Sequence, residues 1–195
     1  METKASGSHT PNATASPWVN RYLREIKPNG HILDLAAGSG RHTRLALEAG
    51  FSVTAIDRNT LGLGDLAPNS KLTILQHDLE NGQPLPFDLQ GVPAAFDGVI
   101  VTNYLWRPIL PDIVSVVGPS GVLIYETFGV GNEKFGRPKN PNFLLRPGEL
   151  HDAIAGQLTP MAYQHATQDT PPRVISRICA VGRKHPWVSD NDTNR

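Results

Sequence analysis

The segment HILDLAAGSGRHTRLALEAG, residues 31–50, restricts the fold of this chain more than any other. An apolar, strand-like run ends in the turn Gly38-Ser39-Gly40, and a helical pattern continues from about Ser39 to Ala49. Glycine lets the backbone approach a ligand closely, and the first N–H groups of a helix that begins there point outward. A strand, a glycine turn and a helix in this order predict a parallel α/β unit that binds a ligand at the turn.

The same alternation continues along the chain. Further strands are predicted at SVTAID, KLTILQHD, FDGVIVTNY and GVLIYETF, and their nearly continuous apolar character is typical of a parallel sheet covered by helices on both faces. Helices are predicted at SPWVNRYLREI, LPDIVSVV and ELHDAIAG, whereas LGLGDLAPNS predicts a short or irregular crossover. The runs MAYQHATQD and RVISRICAVGRK, joined by TPP, predict a C-terminal antiparallel hairpin. The predicted fold class is therefore α/β, with a mostly parallel sheet.

Length and composition limit the number of domains and the kinds of partner that this chain can have. A chain of 195 residues is about one domain, and we expect residues 1–15 to be a disordered arm, 16–186 the folded domain and 187–195 a disordered tail. Its 18 basic and 18 acidic residues balance, so no general attraction to nucleic acid or anionic membranes is expected. No apolar run is long enough to span a membrane. The single cysteine, Cys179, cannot form an internal disulfide, which fits a cytoplasmic protein.

Three aspartates lie at the carboxyl ends of successive predicted strands: Asp34 late in the first, Asp57 at the end of the second and Asp78 at the end of the third. Open α/β sheets bind ligands at this edge, and Asp57 has the spacing from the glycine turn at which an acid accepts ribose hydroxyls. Asp78 is placed to accept from an adenine amino group. Asp34 would repel a diphosphate but attract a ligand with an ammonium and a sulfonium. S-adenosylmethionine carries all of these groups and no phosphate, although any one aspartate taken alone could merely cap a neighbouring N–H.

The motifs DLAAGSGRHT, AIDRN, LQHDLE, FDGVIVTNYL and GVLIYETF resemble, in order, those of the class I S-adenosylmethionine-dependent methyltransferases over residues 31–128. The segment YETFGVGNEKFGRPKNPNFLLRPGEL further resembles small bacterial methyltransferases related to the tellurite-resistance type. In one departure, Ala36 stands where the family usually has the first glycine of D-x-G-x-G-x-G. The resemblance implies a Rossmann-like class I methyltransferase fold and an enzyme that uses S-adenosyl-L-methionine.

The resemblance also implies a set of cofactor-binding residues along the turn and the strand ends. The methionine half would lie at the turn, the ribose at the end of the second strand, the adenine after the third and the sulfonium near the end of the fourth. The implied residues are Asp34, Ala36, Gly38, Gly40, Asp57, Arg58, Asp78, Leu79, Asn103 and Tyr104.

Residues 129–148 form a long segment between a strand and a helix, and long loops of this kind are usually binding loops or lids. We expect a lid whose proteolysis slows when S-adenosylhomocysteine is added, with a solvated charged loop as the alternative. Its basic residues favour an anionic group on the substrate. The candidate substrate-binding residues are Arg107, Arg137, Asn140 and Arg146.

A dedicated base is optional for methyl transfer, because alignment of the acceptor and exclusion of water can be sufficient. Tyr104 could orient the acceptor, and Glu126 could take a proton, bind a cationic group or pair with a lid arginine. The seven histidines show no metal spacing, so no metal site is predicted. His42 is expected on the helix surface or at the cofactor rim.

The predicted function is methyl transfer from S-adenosylmethionine to a small molecule by a monomer or weak homodimer. The residues leave open whether the acceptor is a thiol, a chalcogen oxyanion, an amine or a carboxylate. A non-catalytic protein that binds S-adenosylmethionine is an alternative. An oxidoreductase using a nicotinamide dinucleotide is another, against which stand Asp34 and Thr43, the latter in place of a third glycine.

Overall fold

A computed structural model describes residues 14–87 and 93–188. Seven strands form one sheet in the order β3-β2-β1-β4-β5-β7-β6. They are β1 His31–Leu35, β2 Ser52–Asp57, β3 Leu72–Gln76, β4 Phe96–Thr102, β5 Val117–Phe128, β6 Thr159–Asp169 and β7 Pro172–Val181. The helices are α1 Pro17–Tyr22, α2 Arg41–Glu48, α3 Leu110–Ser115 and α4 Glu149–Ile154, with 3-10 segments at Leu23–Glu25, Leu61–Leu66, Arg107–Ile109, Asn132–Lys134 and Pro141–Phe143.

Strands β1 to β5 are parallel to one another, and β7 is antiparallel to both β5 and β6. The predicted hairpin is therefore confirmed. Because β1 lies between β2 and β4, the chain turns to opposite sides of β1 in its two halves, which makes the carboxyl end of β1 a topological switch point. Ligands bind at such a point in open α/β sheets.

The two faces of the sheet have separate cores. Leu33 and Val99 belong to one cluster with side chains of α3 and α4. Their chain neighbours Ile32 and Ile100 belong to the other cluster, with side chains of α1 and α2. Successive side chains of a strand point to opposite faces, so strands covered on both sides must be apolar throughout.

One predicted helix differs in detail, and one predicted crossover does not. The first helix is α-helical only to Tyr22 and continues as a 3-10 turn to Glu25, since the chain becomes extended at Ile26 before the Pro-Asn-Gly stop. The crossover after Asp57 is the 3-10 segment Leu61–Leu66, as predicted.

The structure describes only a small part of the two chain ends. Most of the predicted arm, residues 1–13, and most of the predicted tail, residues 189–195, lie outside the described residues. Within the ranges that are described, no helix is long and apolar enough to cross a membrane.

Candidate functional site

The end of β2 fixes the shape of the glycine turn that follows β1. The Asp57 Oδ2 atom accepts a hydrogen bond from the Gly38 N–H at 2.8 Å. One residue earlier, the Ala37 N–H donates to the Ile56 carbonyl at 3.0 Å. The aspartate predicted to bind ribose is thus also the group that holds the turn, and its position depends on the pairing of β1 with β2.

Two small residues of the turn have different reasons to be small. Ala36 has φ +57°, a left-handed conformation that costs a residue with a Cβ about 1–2 kcal/mol. That conformation explains why the family usually has glycine there. Gly40 has φ +79°, and a Cβ on it would lie 2.5 Å from Leu63 Cδ2. Packing of the 3-10 crossover against the turn therefore requires Gly40 even without a ligand.

Asp34 lies inside the molecule beneath the turn. Its side chain accepts a hydrogen bond from the Thr43 hydroxyl at 2.6 Å, and the residue is only 2% exposed. Burial raises the pKa of Asp34 to about 6, and the bonds from Thr43 and the charge of Arg41 oppose that rise. Thr43, which argued against a dinucleotide fold in the sequence, has the structural task of holding this carboxyl group.

The other two aspartates are more accessible. Asp57 is half-buried and accepts a second bond from the Asn59 N–H at 2.9 Å. Asp78 is exposed, two residues beyond the end of β3, and accepts from the Glu80 N–H at 3.0 Å. Each carboxylate oxygen has two lone pairs, so both groups keep acceptor capacity for a ligand.

The remaining predicted cofactor residues differ in burial. Leu79 is 7% exposed and belongs to the core cluster that Tyr104 also contacts. Arg58 and Asn103 are exposed, and Asn103 has φ +53°, which asparagine tolerates better than most residues.

Tyr104 has a hydroxyl group that lies inside the molecule. The hydroxyl oxygen is buried and forms no hydrogen bond with any residue that the structure describes. Burial raises the pKa of Tyr104, and the nearby charges of Glu80, Asp78 and Asp57 raise it further. The hydroxyl is therefore in the electrostatic range of the acidic groups predicted to hold adenosine. His77, next to Asp78, likewise has a buried Nε2 atom without a partner among the described residues.

Glu126 is committed to structural contacts. It is 5% exposed; its Oε1 accepts from the Ser16 hydroxyl at 2.8 Å and its Oε2 from Arg177 Nη1 at 3.0 Å. Arg177 in turn lies over the Trp18 ring, 4.5 Å from its centre. The interpretation of Glu126 as a partner of a lid arginine was wrong, because the arginine is on β7.

Of the two places expected for His42, the helix surface was wrong, and the cofactor rim stays a prediction. It is 2% exposed, its Nε2 accepts from the Ser16 N–H at 3.0 Å, and its Nδ1 lies 3.2 Å from Thr102 Oγ1. With Nε2 accepting, the ring proton is on Nδ1. Burial and the charge of Arg41 lower the pKa of His42 to about 3, so the ring is neutral. Its task is to fix the start of α1 to the carboxyl end of β4.

Arg107, a predicted substrate residue, instead anchors residues 129–148. Its Nε and Nη2 atoms donate to the two Glu149 carboxylate oxygens at 2.5 and 3.0 Å. The same guanidinium donates to the carbonyls of Asn142 and Leu144 at 2.8 and 2.9 Å. All of these contacts lie within the chain itself, so Arg107 holds the segment in place without a substrate.

The expected lid is thus attached at several points. Leu144 and Leu145 are buried, and Leu145 pairs with Gly129. The other three predicted substrate residues, Arg137, Asn140 and Arg146, are exposed. The Arg146 Nε atom is 3.5 Å from Glu149 Oε2. The Asn140 side chain caps the 3-10 turn by accepting from the Asn142 N–H at 3.0 Å. Only this exposed part retains the freedom that a lid needs.

Sequence reasoning missed Ser16, His42 and Arg177 as parts of the edge where β4 and β5 end. The sequence contains a signal for Ser16 alone, as a helix cap. Their contacts join residues that are 26, 51 and 110 positions apart, and no local pattern reports such distances.

Comparison with known proteins gives one curated relative and many solved structures. No family model matches the chain. The chain is 28% identical over 134 residues to YqeM of Bacillus subtilis (strain 168), whose name proposes methyltransferase activity. The match covers 61% of this chain and 49% of YqeM, so the chain matches about half the length of this relative.

Two solved structures illustrate the likeness in three dimensions. The 1,6-didemethyltoxoflavin-N1-methyltransferase of Burkholderia thailandensis, solved with bound S-adenosylhomocysteine, has a TM-score of 0.64 at 18% identity, covering 85% of this chain and 76% of that one. TehB of Haemophilus influenzae has a TM-score of 0.63 at 17% identity, covering 85% and 61%. At such identities the likeness is one of fold, and that fold is the class I S-adenosylmethionine-dependent methyltransferase fold that the sequence motifs predicted.

Proposed function

We propose that this chain transfers the methyl group of S-adenosylmethionine to a small-molecule acceptor. The observation that carries the proposal is the bond between Asp57 and the Gly38 N–H at the switch point of the sheet, directly above the buried Asp34. This arrangement offers acidic groups and a glycine turn to a ligand that has hydroxyl groups and positive charge but no phosphate. The curated relative and the methyltransferases among the structural neighbours support the same cofactor.

The cofactor would lie along the carboxyl ends of β1, β2 and β3. The negative charge of Asp34 favours the ammonium end, while Asp57 accepts from the ribose hydroxyls. Asp78 accepts from the adenine amino group. The Tyr104 hydroxyl, which has no partner among the described residues, supplies a donor beside these acidic groups rather than at the sulfonium, near which the resemblance placed it. A buried hydroxyl without a partner costs roughly 1–3 kcal/mol, which a ligand atom would recover.

In the reaction, a lone pair of the acceptor attacks the methyl carbon as the carbon–sulfur bond breaks. The bonding electrons go to sulfur, which leaves S-adenosylhomocysteine, and a proton on the acceptor passes to water. Glu126 is occupied by Ser16 and Arg177, and burial raises the pKa of Tyr104, so neither suits the part of base. The chain's own contribution is alignment of the reactants and exclusion of water.

A small-molecule acceptor agrees with the structural neighbour from Burkholderia thailandensis, which was solved with bound 1,6-didemethyltoxoflavin. Product formation across thiol, chalcogen oxyanion, amine and carboxylate acceptors would identify the class. Absence of product from all four classes would favour the non-catalytic binding protein. A cytoplasmic location and a monomeric or weakly dimeric state stay predictions.

The first test is calorimetric titration with S-adenosylhomocysteine, alongside a titration with reduced nicotinamide dinucleotide. We expect micromolar binding of S-adenosylhomocysteine, weakened by about 1.5–3 kcal/mol in Asp57→Ala, which removes a charged acceptor. Because Asp57 also holds the turn, Tyr104→Phe is the second variant. It should weaken binding by about 0.5–1.5 kcal/mol without lowering the free energy of unfolding, since it removes an unpaired hydroxyl.

Tyr163→Phe is the matched control for Tyr104→Phe. Its hydroxyl already accepts a bond from the Gly148 N–H at 2.7 Å, so affinity for S-adenosylhomocysteine should stay unchanged. No binding of S-adenosylhomocysteine, binding indifferent to both variants, or tighter binding of the nicotinamide dinucleotide would refute the proposed function.

A further inference from the structure

A cavity of about 280 Å³ lies just beyond the carboxyl end of β5. It is bounded by the 3-10 turn Asn132–Lys134 on one side and by β6 and β7 on the other. The residues that matter for its chemistry are Val130, Lys134, Phe135, His165 and Val174. None of them belongs to the predicted cofactor or substrate residues.

The wall of the cavity combines apolar side chains with polar groups and is partly open to solvent. Val130 is 43% exposed and Phe135 is 47% exposed, which places both among the few large apolar side chains so accessible in the described part of the chain. Val174 lies behind them and is buried. Exposed apolar side chains gathered at a concave surface are typical of a ligand site.

The charge at the rim of the cavity is positive. Lys134 is exposed, and its ammonium group forms no hydrogen bond or ion pair with any residue in the described ranges. The neighbouring Glu133 carboxylate accepts the Gly131 N–H at 2.8 Å and forms no ion pair with Lys134 in the described ranges. An anion is therefore the complementary charge for this rim.

The floor of the cavity contains unpaired polar atoms. His165 Nδ1 is buried and has no hydrogen-bond partner among the described residues. The ring is packed against Gly129, where a Cβ would lie 2.5 Å from His165 Cε1. The cross-strand neighbour of His165 is Ser176, whose buried hydroxyl is also unpaired in the described structure.

The frame around the cavity is held by buried contacts. Asn132 is 1% exposed; its Oδ1 accepts from the Val174 N–H at 3.2 Å, and its Nδ2 donates to the Pro138 carbonyl at 3.4 Å. The Gly129 N–H donates to the Val174 carbonyl at 3.0 Å. These bonds fix the 3-10 turn to β7, so the cavity exists without a ligand.

We propose that this cavity holds the non-reacting end of the methyl acceptor, an aromatic or branched apolar group that carries an anion such as a carboxylate. The inference rests on the proposed function. In the sheet, β5 is separated from β1 by β4 alone, and the lining strands β7 and β6 follow β5, with neighbouring strands about 4.8 Å apart. The cavity thus opens at the same edge as the glycine turn, on the side of the sheet away from the adenosine-binding aspartates.

The test is a titration followed by amide and histidine NMR signals, with the protein saturated by S-adenosylhomocysteine. The probes are benzoate, benzyl alcohol and benzylamine, which share a ring and differ in charge. We expect benzoate to shift the signals of residues 130–135 and 165–167 and to bind at least fivefold more tightly than benzyl alcohol. Benzylamine should bind most weakly. Equal affinity for the three probes, or shifts elsewhere only, would overturn the proposal.

Paired variants test the charge. Lys134→Gln should weaken benzoate binding at least fivefold, whereas Lys139→Gln, an exposed lysine of the same segment that does not line the cavity, should leave it unchanged. Once an acceptor with a carboxylate is found, Lys134→Gln should raise its KM and leave kcat unchanged. Equal effects of the two variants, or an effect on kcat alone, would contradict the proposal.

These measurements distinguish a failure of the proposed function from a failure of the ligand assigned to the cavity. Lys134→Gln should leave the affinity for S-adenosylhomocysteine at the wild-type value. If the wild-type protein does not bind S-adenosylhomocysteine at all, the proposed function fails, whatever benzoate does. If S-adenosylhomocysteine binds and benzoate does not, only the assignment of the cavity fails.

Discussion

At the scale of single residues, Ala36 departs from the methyltransferase motif that the sequence resembles, and this departure has a measurable consequence. Its φ of +57° suits glycine better than alanine. We expect Ala36→Gly to raise the free energy of unfolding by about 0.5–1 kcal/mol, because relief of strain exceeds the entropy that glycine adds to the unfolded chain. Ala49→Gly, at φ −78°, is the control and should lower it. Urea denaturation measures both, and equal losses would show that Ala36 is unstrained.

Single residues also show which features can be predicted from sequence and which cannot. The positions of Asp34, Asp57 and Asp78 followed from strand ends and spacing. Their hydrogen-bond partners did not, because Thr43 reaches Asp34 only after the helix has formed against β1. Glu126 is a candidate base in the sequence, but in the structure its two carboxylate oxygens accept hydrogen bonds from Ser16 and Arg177.

At the scale of elements, the segment from 129 to 148 depends on one guanidinium. Arg107→Gln would leave Glu149, which is 8% exposed, without its main partner and would release two carbonyls of the segment. Hydrogen bonds to charged groups contribute about 1.5–3 kcal/mol each, though not additively, so we expect a loss of about 3 kcal/mol in the free energy of unfolding. Cleavage by protease between residues 136 and 143 should also become faster.

The matched control for that change is Arg146→Gln. Arg146 is exposed and its Nε is 3.5 Å from the same Glu149 carboxylate, so its loss should cost less than about 1 kcal/mol. Similar losses for the two arginines would mean that Arg107 is not the anchor. Slower cleavage in the presence of S-adenosylhomocysteine stays a prediction for the exposed part of this segment.

At the scale of the whole molecule, the burial of Asp34 should appear in the pH dependence of stability. Its pKa is raised to about 6 in the folded state from an ordinary value of 3.8. Between these values the unfolded chain releases the proton while the folded protein keeps it. The free energy of unfolding should therefore fall as pH rises through this window, by about 3 kcal/mol in all, and change no further above it.

Comparison with Asp34→Asn isolates this contribution. His42 makes the free energy of unfolding rise with pH instead. Its pKa is lowered to about 3 in the folded state, so between that pKa and its ordinary value only the unfolded chain binds the proton. Urea denaturation at several pH values from 4 to 7 should give a difference between wild type and Asp34→Asn that changes steadily and levels off above pH 6. A constant difference would mean that Asp34 titrates normally.

The sequence by itself determined the order of strands and helices, the C-terminal hairpin, the glycine turn and the class of fold. It could do so because alternation of apolar runs, helix caps and turn residues are local signals that survive in a single chain. Only the tertiary structure decided that Arg107 is an anchor, that Glu126 and His42 tie α1 to the sheet, and that a cavity lies between residues 130–135 and β6. Each of these depends on groups far apart in sequence meeting at one place, and their meeting is fixed by sheet register and packing rather than by any local pattern.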